Sequence, residues 1–183
     1  MAKWIRKTLP LQADHGWEVS PGYKIFMADR GSVRFDIPRD WVIVHEDKSF
    51  AFHDRQPPDD DCTLKMSIWY LDDHVDWSQL PLGQMAKQLS AKDTRDVARH
   101  GDVIEEARPR LRLAWTEVEF HDPNENRSAI GRMLLGQFSN IQLLLTFDFW
   151  VADAPKLEPA WAEIVRSLEL ANYIEDPTRR VKD

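Results

Sequence analysis

The stretch Ile141-Gln-Leu-Leu-Leu-Thr-Phe-Asp-Phe-Trp-Val151 decides the fold. Ile141, Leu143, Leu145, Phe147 and Phe149 recur at every second position, so in an extended chain they share one face. Leu144 and Trp150 fall on the other face, beside Thr146 and Asp148. Apolar residues on both faces mark a central strand covered on both sides.

Working outward, Ser128 to Gln137 reads as the hairpin partner of this strand across Ser139 and Asn140. Asp122 to Asn126 is turn chemistry, and Leu111 to His121 and Asp102 to Glu106 carry earlier strand signals. Near the start, Tyr23 to Ala28 and Val33 to Ile37 flank a turn at Asp29, Arg30 and Gly31. Val33, Phe35 and Ile37 alternate with Arg34 and Asp36, which predicts one buried face. Trp41 to His45 and Phe50 to His53 read as a hairpin, and Leu64 to Leu71 as a strong strand with Leu64, Met66, Ile68 and Tyr70 on one face.

Two segments switch to helical spacing. Leu82, Met85, Ala86 and Leu89 form one face after Ser78, the expected N-cap, with a continuation or restart at Asp93 and a stop at Gly101. Leu157, Trp161, Ile164, Val165 and Leu168 form the stripe of a last helix over about 156–167, where Pro159 requires a start close before it. Tight turns between successive strands predict a largely antiparallel sheet, and two amphipathic helices cover it. The expectation is an α+β fold, an α/β/α sandwich around one sheet, with Phe35, Trp41, Ile68, Leu145, Phe147 and Trp161 in the core. The division is an N-terminal arm over 1–22, one domain over 23–170 and a tail over 171–183.

Val33-Arg-Phe-Asp-Ile-Pro-Arg-Asp-Trp41 resembles the opening "F-x-x-P-x-x-W" strand and turn of the PsbP-like superfamily. The ending Ile164-Val-Arg-Ser-Leu-Glu-Leu170 is similar to that group's "I-x-x-S-L-x-L" close. The superfamily includes the photosystem II protein PsbP, a yeast Ran-binding factor and bacterial DcrB-like proteins. The resemblance implies a PsbP-like fold and a binding or assembly role, and its motif residues are structural.

The totals narrow the function. The 183 residues are 43% hydrophobic and 30% charged, an ordinary folded mixture. A net charge of -7 disfavours non-specific nucleic-acid binding. No apolar run reaches membrane-helix length, the single Cys62 excludes an internal disulfide, and no secretory signal is read, so a cytoplasmic protein is expected.

Candidate chemistry is sparse. Asp72, Asp73, His74 and Asp76 offer oxygen and imidazole ligands, but at a spacing that matches neither an EF-hand loop nor a zincin helix. They read as a polar loop with Asp76 near a helix N-terminus, and no metal or cofactor is expected. Asp59, Asp60 and Asp61 read as a solvated loop, His45 and His53 as hairpin histidines that could face each other, and Cys62 as a small buried hydrophobe. No nucleophile elbow, Walker loop or dinucleotide fingerprint occurs.

Arg108, Arg110 and Arg112 alternate and could line one strand face, though Asp102, Glu105 and Glu106 nearly neutralise the region. With Trp4 and Trp17 of the arm they form the expected partner surface. The reading is a non-catalytic protein-binding or adaptor module whose partner is another protein, a second copy included, with no nucleic acid and no membrane. A chaperone for a type VI secretion effector and a hydrolase with a site at the sheet edge are the alternatives.

Overall fold

The computed structural model describes residues 17–47 and 49–173. The chain runs β1 (Tyr23–Ala28), β2 (Val33–Pro38), β3 (Val42–His45), β4 (Ser49–His53), β5 (Cys62–Tyr70), α1 (Leu82–Ala91), β6 (Asp96–His100), β7 (Ile104–Arg108), β8 (Leu111–Asp122), β9 (Arg127–Phe138), β10 (Ile141–Trp150), α2 (Ala154–Ser167) and β11 (Glu169–Leu170).

Every pairing is antiparallel, as the tight turns predict. Among the described residues there are two sheets rather than the single one expected. The large one has eight strands in the order β3-β4-β5-β10-β9-β8-β6, with β7 also on β8, and the small one is β1-β2-β11. Pro38 ends β2 and the chain turns before β3, which lets the two layers stack.

β10 lies between β5 and β9, the central place its two apolar faces require. Ile141, Leu143, Leu145, Phe147 and Phe149 are buried against the small sheet and α2. Across this layer Phe147 stacks on Trp161 and packs tilted against Trp41, with ring centroids 5.9 and 5.8 Å apart. On the opposite face Leu82 and Ala86 of α1 cover Ala114 of β8 and Leu135 of β9. The sandwich is therefore α+β, with mostly antiparallel sheet between two helices. Of the six named core residues, Ile68 is only partly buried, packed at the margin of the cluster.

Four local expectations change. α1 begins at Leu82 after Pro81, not near Ser78, because the intervening residues form turns. No helix restarts at Asp93: Asp96–His100 pairs with the far end of β8 as a strand with a bulge at Val97 and Arg99. α2 starts at Ala154, so Pro159 sits inside it and removes one helical hydrogen bond.

The fourth is β2, which is buried on both faces. Arg34 and Asp36 form an ion pair at 2.8 Å beneath the end of α2. Ser167 holds them there. Its Oγ accepts the Asp36 amide at 2.8 Å, and its carbonyl accepts from Arg34 at 3.0 Å. The two sequence motifs thus meet at one hydrogen-bonded junction.

Candidate functional site

One end of the sandwich gathers the exposed aromatic groups of the fold. β5 outruns the core there, so Tyr70 lies on the same face as buried Leu64 and Met66 yet is 50% exposed. Tyr173, 55% exposed, follows β11 at the same end. The Tyr70 hydroxyl donates to Asp29 Oδ2 at 2.5 Å and lies 2.9 Å from Ser32 Oγ. Partial burial raises its pKa, and the bond to the Asp29 carboxylate adds to the effect. Tyr70 is therefore a protonated donor at neutral pH, not a base.

The backbone around it is cross-braced. Asp29, Arg30, Gly31, Ser139 and Ala171 all take left-handed φ values, from 45° to 99°. At Gly31 a side chain has no room, because a Cβ would lie 2.3 Å from the Asn172 carbonyl oxygen. The Ala171 amide donates to Ser32 O at 3.0 Å, and Arg110 donates to the Ala171 carbonyl. The Arg110 guanidinium also sits 5.4 Å from the Phe138 ring centroid. These bonds tie together the segments that carry Tyr70, Tyr173, Arg30 and Arg110.

The arginines named from sequence do not share a strand face. Arg108 ends β7, Arg110 lies in the turn and Arg112 belongs to β8. Each clamps a different segment: Arg108 donates to the α2 carbonyls of Val165 and Arg166 at 2.8 and 3.0 Å, and Arg112 to Ser78 and Leu80. Trp17 has its ring centroid 5.8 Å from the Arg34 guanidinium. Trp4 lies outside the described residues.

The other candidates are accounted for in turn. Ligand atoms of Asp72, Asp73 and His74 lie within 4.8 Å of one another, all on exposed residues. Asp76 is not part of that group and is not at a helix start; its carboxylate accepts the Ser78 amide at 2.9 Å. His45 and His53 do not face each other, since His53 pairs in register with Val42 and His45 with Phe50. His53 Nδ1 instead meets Asp60 Oδ2 at 2.8 Å, and Asp61 pairs with Arg55, so this acidic loop is bonded to the hairpin rather than simply solvated.

Cys62 is buried, and burial with the nearby Asp54 carboxylate pushes its thiol up to about 12. Ser90 Oγ lies 2.9 Å from His100 Nδ1, but Ser90 is on the buried face of α1, only 4% exposed, which disfavours it as a nucleophile.

A concavity of about 400 Å³ opens beside Tyr23, Trp41, Asp54, Arg55 and Lys156. Asp54 Oδ1 accepts the amides of Asp61 and Cys62 at 2.8 and 3.2 Å, and Lys156 reaches Oδ2 at 3.3 Å. Burial pushes this carboxyl upward, but the amides and the ammonium outweigh it and hold it below the usual carboxylate range. Asp54 is a structural brace. From the sequence Asp54 is only the carboxylate next to the His45 and His53 hairpin; its bracing role was not legible, because an acidic residue at a strand end carries no pattern.

The chain matches the Alr1449 family over residues 24–174. It belongs to that family. A Nostoc sp. (strain PCC 7120) relative, the uncharacterized protein alr1449, is 43% identical over 177 residues, covering 96% of this chain and 92% of the relative. Two solved structures share the fold at low identity. CyanoP, the cyanobacterial PsbP of Synechocystis sp. PCC 6803, aligns with TM-score 0.57 and 10% identity over 88% of this chain and 99% of its own. The Saccharomyces cerevisiae Ran-binding protein Mog1p aligns with TM-score 0.52 and 8% identity over 82% and 96%. The PsbP-like resemblance therefore holds at the level of the fold. No helix among the described residues is long and apolar enough to cross a membrane.

Proposed function

We propose that this chain is a non-catalytic module that binds a protein partner through the end of the sandwich around Tyr70 and Tyr173. The observation that carries the reading is the pairing of half-exposed aromatics with a hydrogen-bonded backbone. Tyr and Arg dominate interface energetics, and a frame already held in place loses little freedom on binding. The candidate nucleophiles Cys62 and Ser90 are buried, which supports binding over turnover. The Ran-binding neighbour lends the same fold to a protein-binding task. A cytoplasmic location belongs to this proposal, because a lone reduced thiol suits a reducing compartment.

The test is affinity capture from the native cell with wild-type protein and with Tyr173→Ala combined with Arg30→Ala. The expected result is a protein captured by the wild type and lost with the double variant, while both melt at the same temperature. Equal capture by both, or turnover in a broad substrate screen, would overturn the reading.

A further inference from the structure

The concavity beside Tyr23 and Trp41 opens at the Tyr23 end of β1, whereas Asp29 and its bond to Tyr70 lie past the Ala28 end. Its volume of about 400 Å³ lies within the range of small-molecule sites. Part of its lining is apolar: Pro38 and Trp41 come from the turn after β2, and Leu157, Pro159 and Ala160 from α2. Tyr23 bridges the two elements, its hydroxyl donating to the Pro159 carbonyl at 3.3 Å. The rest is polar. The Asp54 side chain is 4% exposed, and Lys156 and Arg55 reach its Oδ2 at 3.3 and 3.6 Å while themselves 64% and 52% exposed. A guest entering from solvent therefore meets the two cations before the carboxylate behind them. Among the described residues the Lys156 ammonium bonds to Asp54 alone, which leaves two of its three N–H groups for a guest. Arg55 is shared with Asp61. The remaining acid of the lining, Asp40, acts on the Lys24 ammonium, which donates to the Trp41 carbonyl at 2.6 Å.

We propose that this concavity binds a small apolar group ending in a carboxylate, with the apolar body against Trp41, Leu157 and Ala160 and the carboxylate on Lys156 and Arg55. Asp54 holds both cations in place before a ligand arrives, so little side-chain freedom is lost on binding. Bonds from an ammonium or guanidinium to a carboxylate are also stronger than those between neutral groups. Two sources supply this chemistry: a free aryl or alkyl carboxylic acid, or the C-terminal residue of another protein whose side chain is apolar. Binding here is independent of the surface at Tyr70 and Tyr173.

The experiment is isothermal titration calorimetry of the full chain. The probes are N-acetylphenylalanine, its neutral amide, phenethylamine, and a short peptide ending in phenylalanine with a free carboxylate. The expected result is saturable binding of the acid at about millimolar affinity or tighter, with the amide about tenfold weaker. Lys156→Ala and Arg55→Ala should each weaken the acid several-fold and leave the amide unchanged. Where either variant melts early, the difference between acid and amide on the wild type still decides. The acid and the peptide distinguish the two sources, and tighter binding of either one supports the site. No saturable binding of acid or peptide would overturn the proposal, as would amide or phenethylamine binding as tightly as the acid. Tyr173→Ala combined with Arg30→Ala should bind the acid like the wild type, so loss of protein capture and loss of this site are read separately.

Discussion

The Ser167 hydroxyl joins the last helix to the second strand: its oxygen accepts the Asp36 backbone amide at 2.8 Å while it donates to Glu163 O at 2.7 Å. One side chain therefore bonds to α2 and pins β2 beneath it. The same residue's carbonyl accepts from Arg34, so the buried ion pair is held from both sides.

Ser167→Ala leaves the Asp36 amide buried without its partner. The cost should be about 1–3 kcal/mol. For a chain of this length that is a fall of roughly 2–12 °C in Tm, read by calorimetry. Ser78→Ala, in an exposed loop, should leave the melt unchanged.

Asp36 should couple stability to pH. Burial pushes its carboxyl above the usual range, against the pull of Arg34. The folded chain then holds a proton that the unfolded chain has already lost, so this group's contribution declines as pH rises from about 3.9 through the raised value. Asp36→Asn cannot titrate and lacks that decline. It also strips Arg34 of its 2.8 Å partner, at a cost of about 3–5 kcal/mol for breaking a buried pair. Urea unfolding of both proteins from about pH 4 to pH 8 tests this. A stability difference that stays constant across the series would refute the coupling.

Gly31→Ala should disrupt the Tyr70 end. The new Cβ meets the Asn172 carbonyl at 2.3 Å, and φ of +99° is already unfavourable for a side chain. Because the obstacle is backbone, the turn that carries Asp29 must shift. A loss of about 2–4 kcal/mol is expected from strain and overpacking together. Tyrosine fluorescence should report the loss of the Tyr70–Asp29 bond. Unchanged stability would show that the 29–31 turn yields freely and does not brace the site.

Cys62 should be inert in the native state. Its thiol is buried and pushed up to about 12, so little thiolate exists at neutral pH. Iodoacetamide at mildly alkaline pH should leave folded protein unmodified and label it fully in denaturant. Rapid labelling of the folded chain would reopen a thiol-based activity.

The period-two pattern of Ile141 to Phe149 made the central strand legible, because burying alternate side chains requires that spacing whatever the neighbours. The stripe through Leu157, Trp161 and Ile164 did the same for α2. The β6 strand was not legible: Asp96–His100 is mostly exposed and polar, and it is extended only because β8 offers it hydrogen-bonding partners.

What the sequence by itself determined is the α+β class, the order of most elements and the face of each that is buried, since hydrophobic periodicity is a local property of the chain. Only the tertiary structure decided that the strands split into two sheets and that Arg34 and Asp36 are buried together. It alone showed that Arg108, Arg110 and Arg112 clamp three separate segments, and that Tyr70 meets Asp29 across 41 residues. Those facts depend on which distant backbone groups need a partner once the core has closed, and nothing local in the sequence encodes that need.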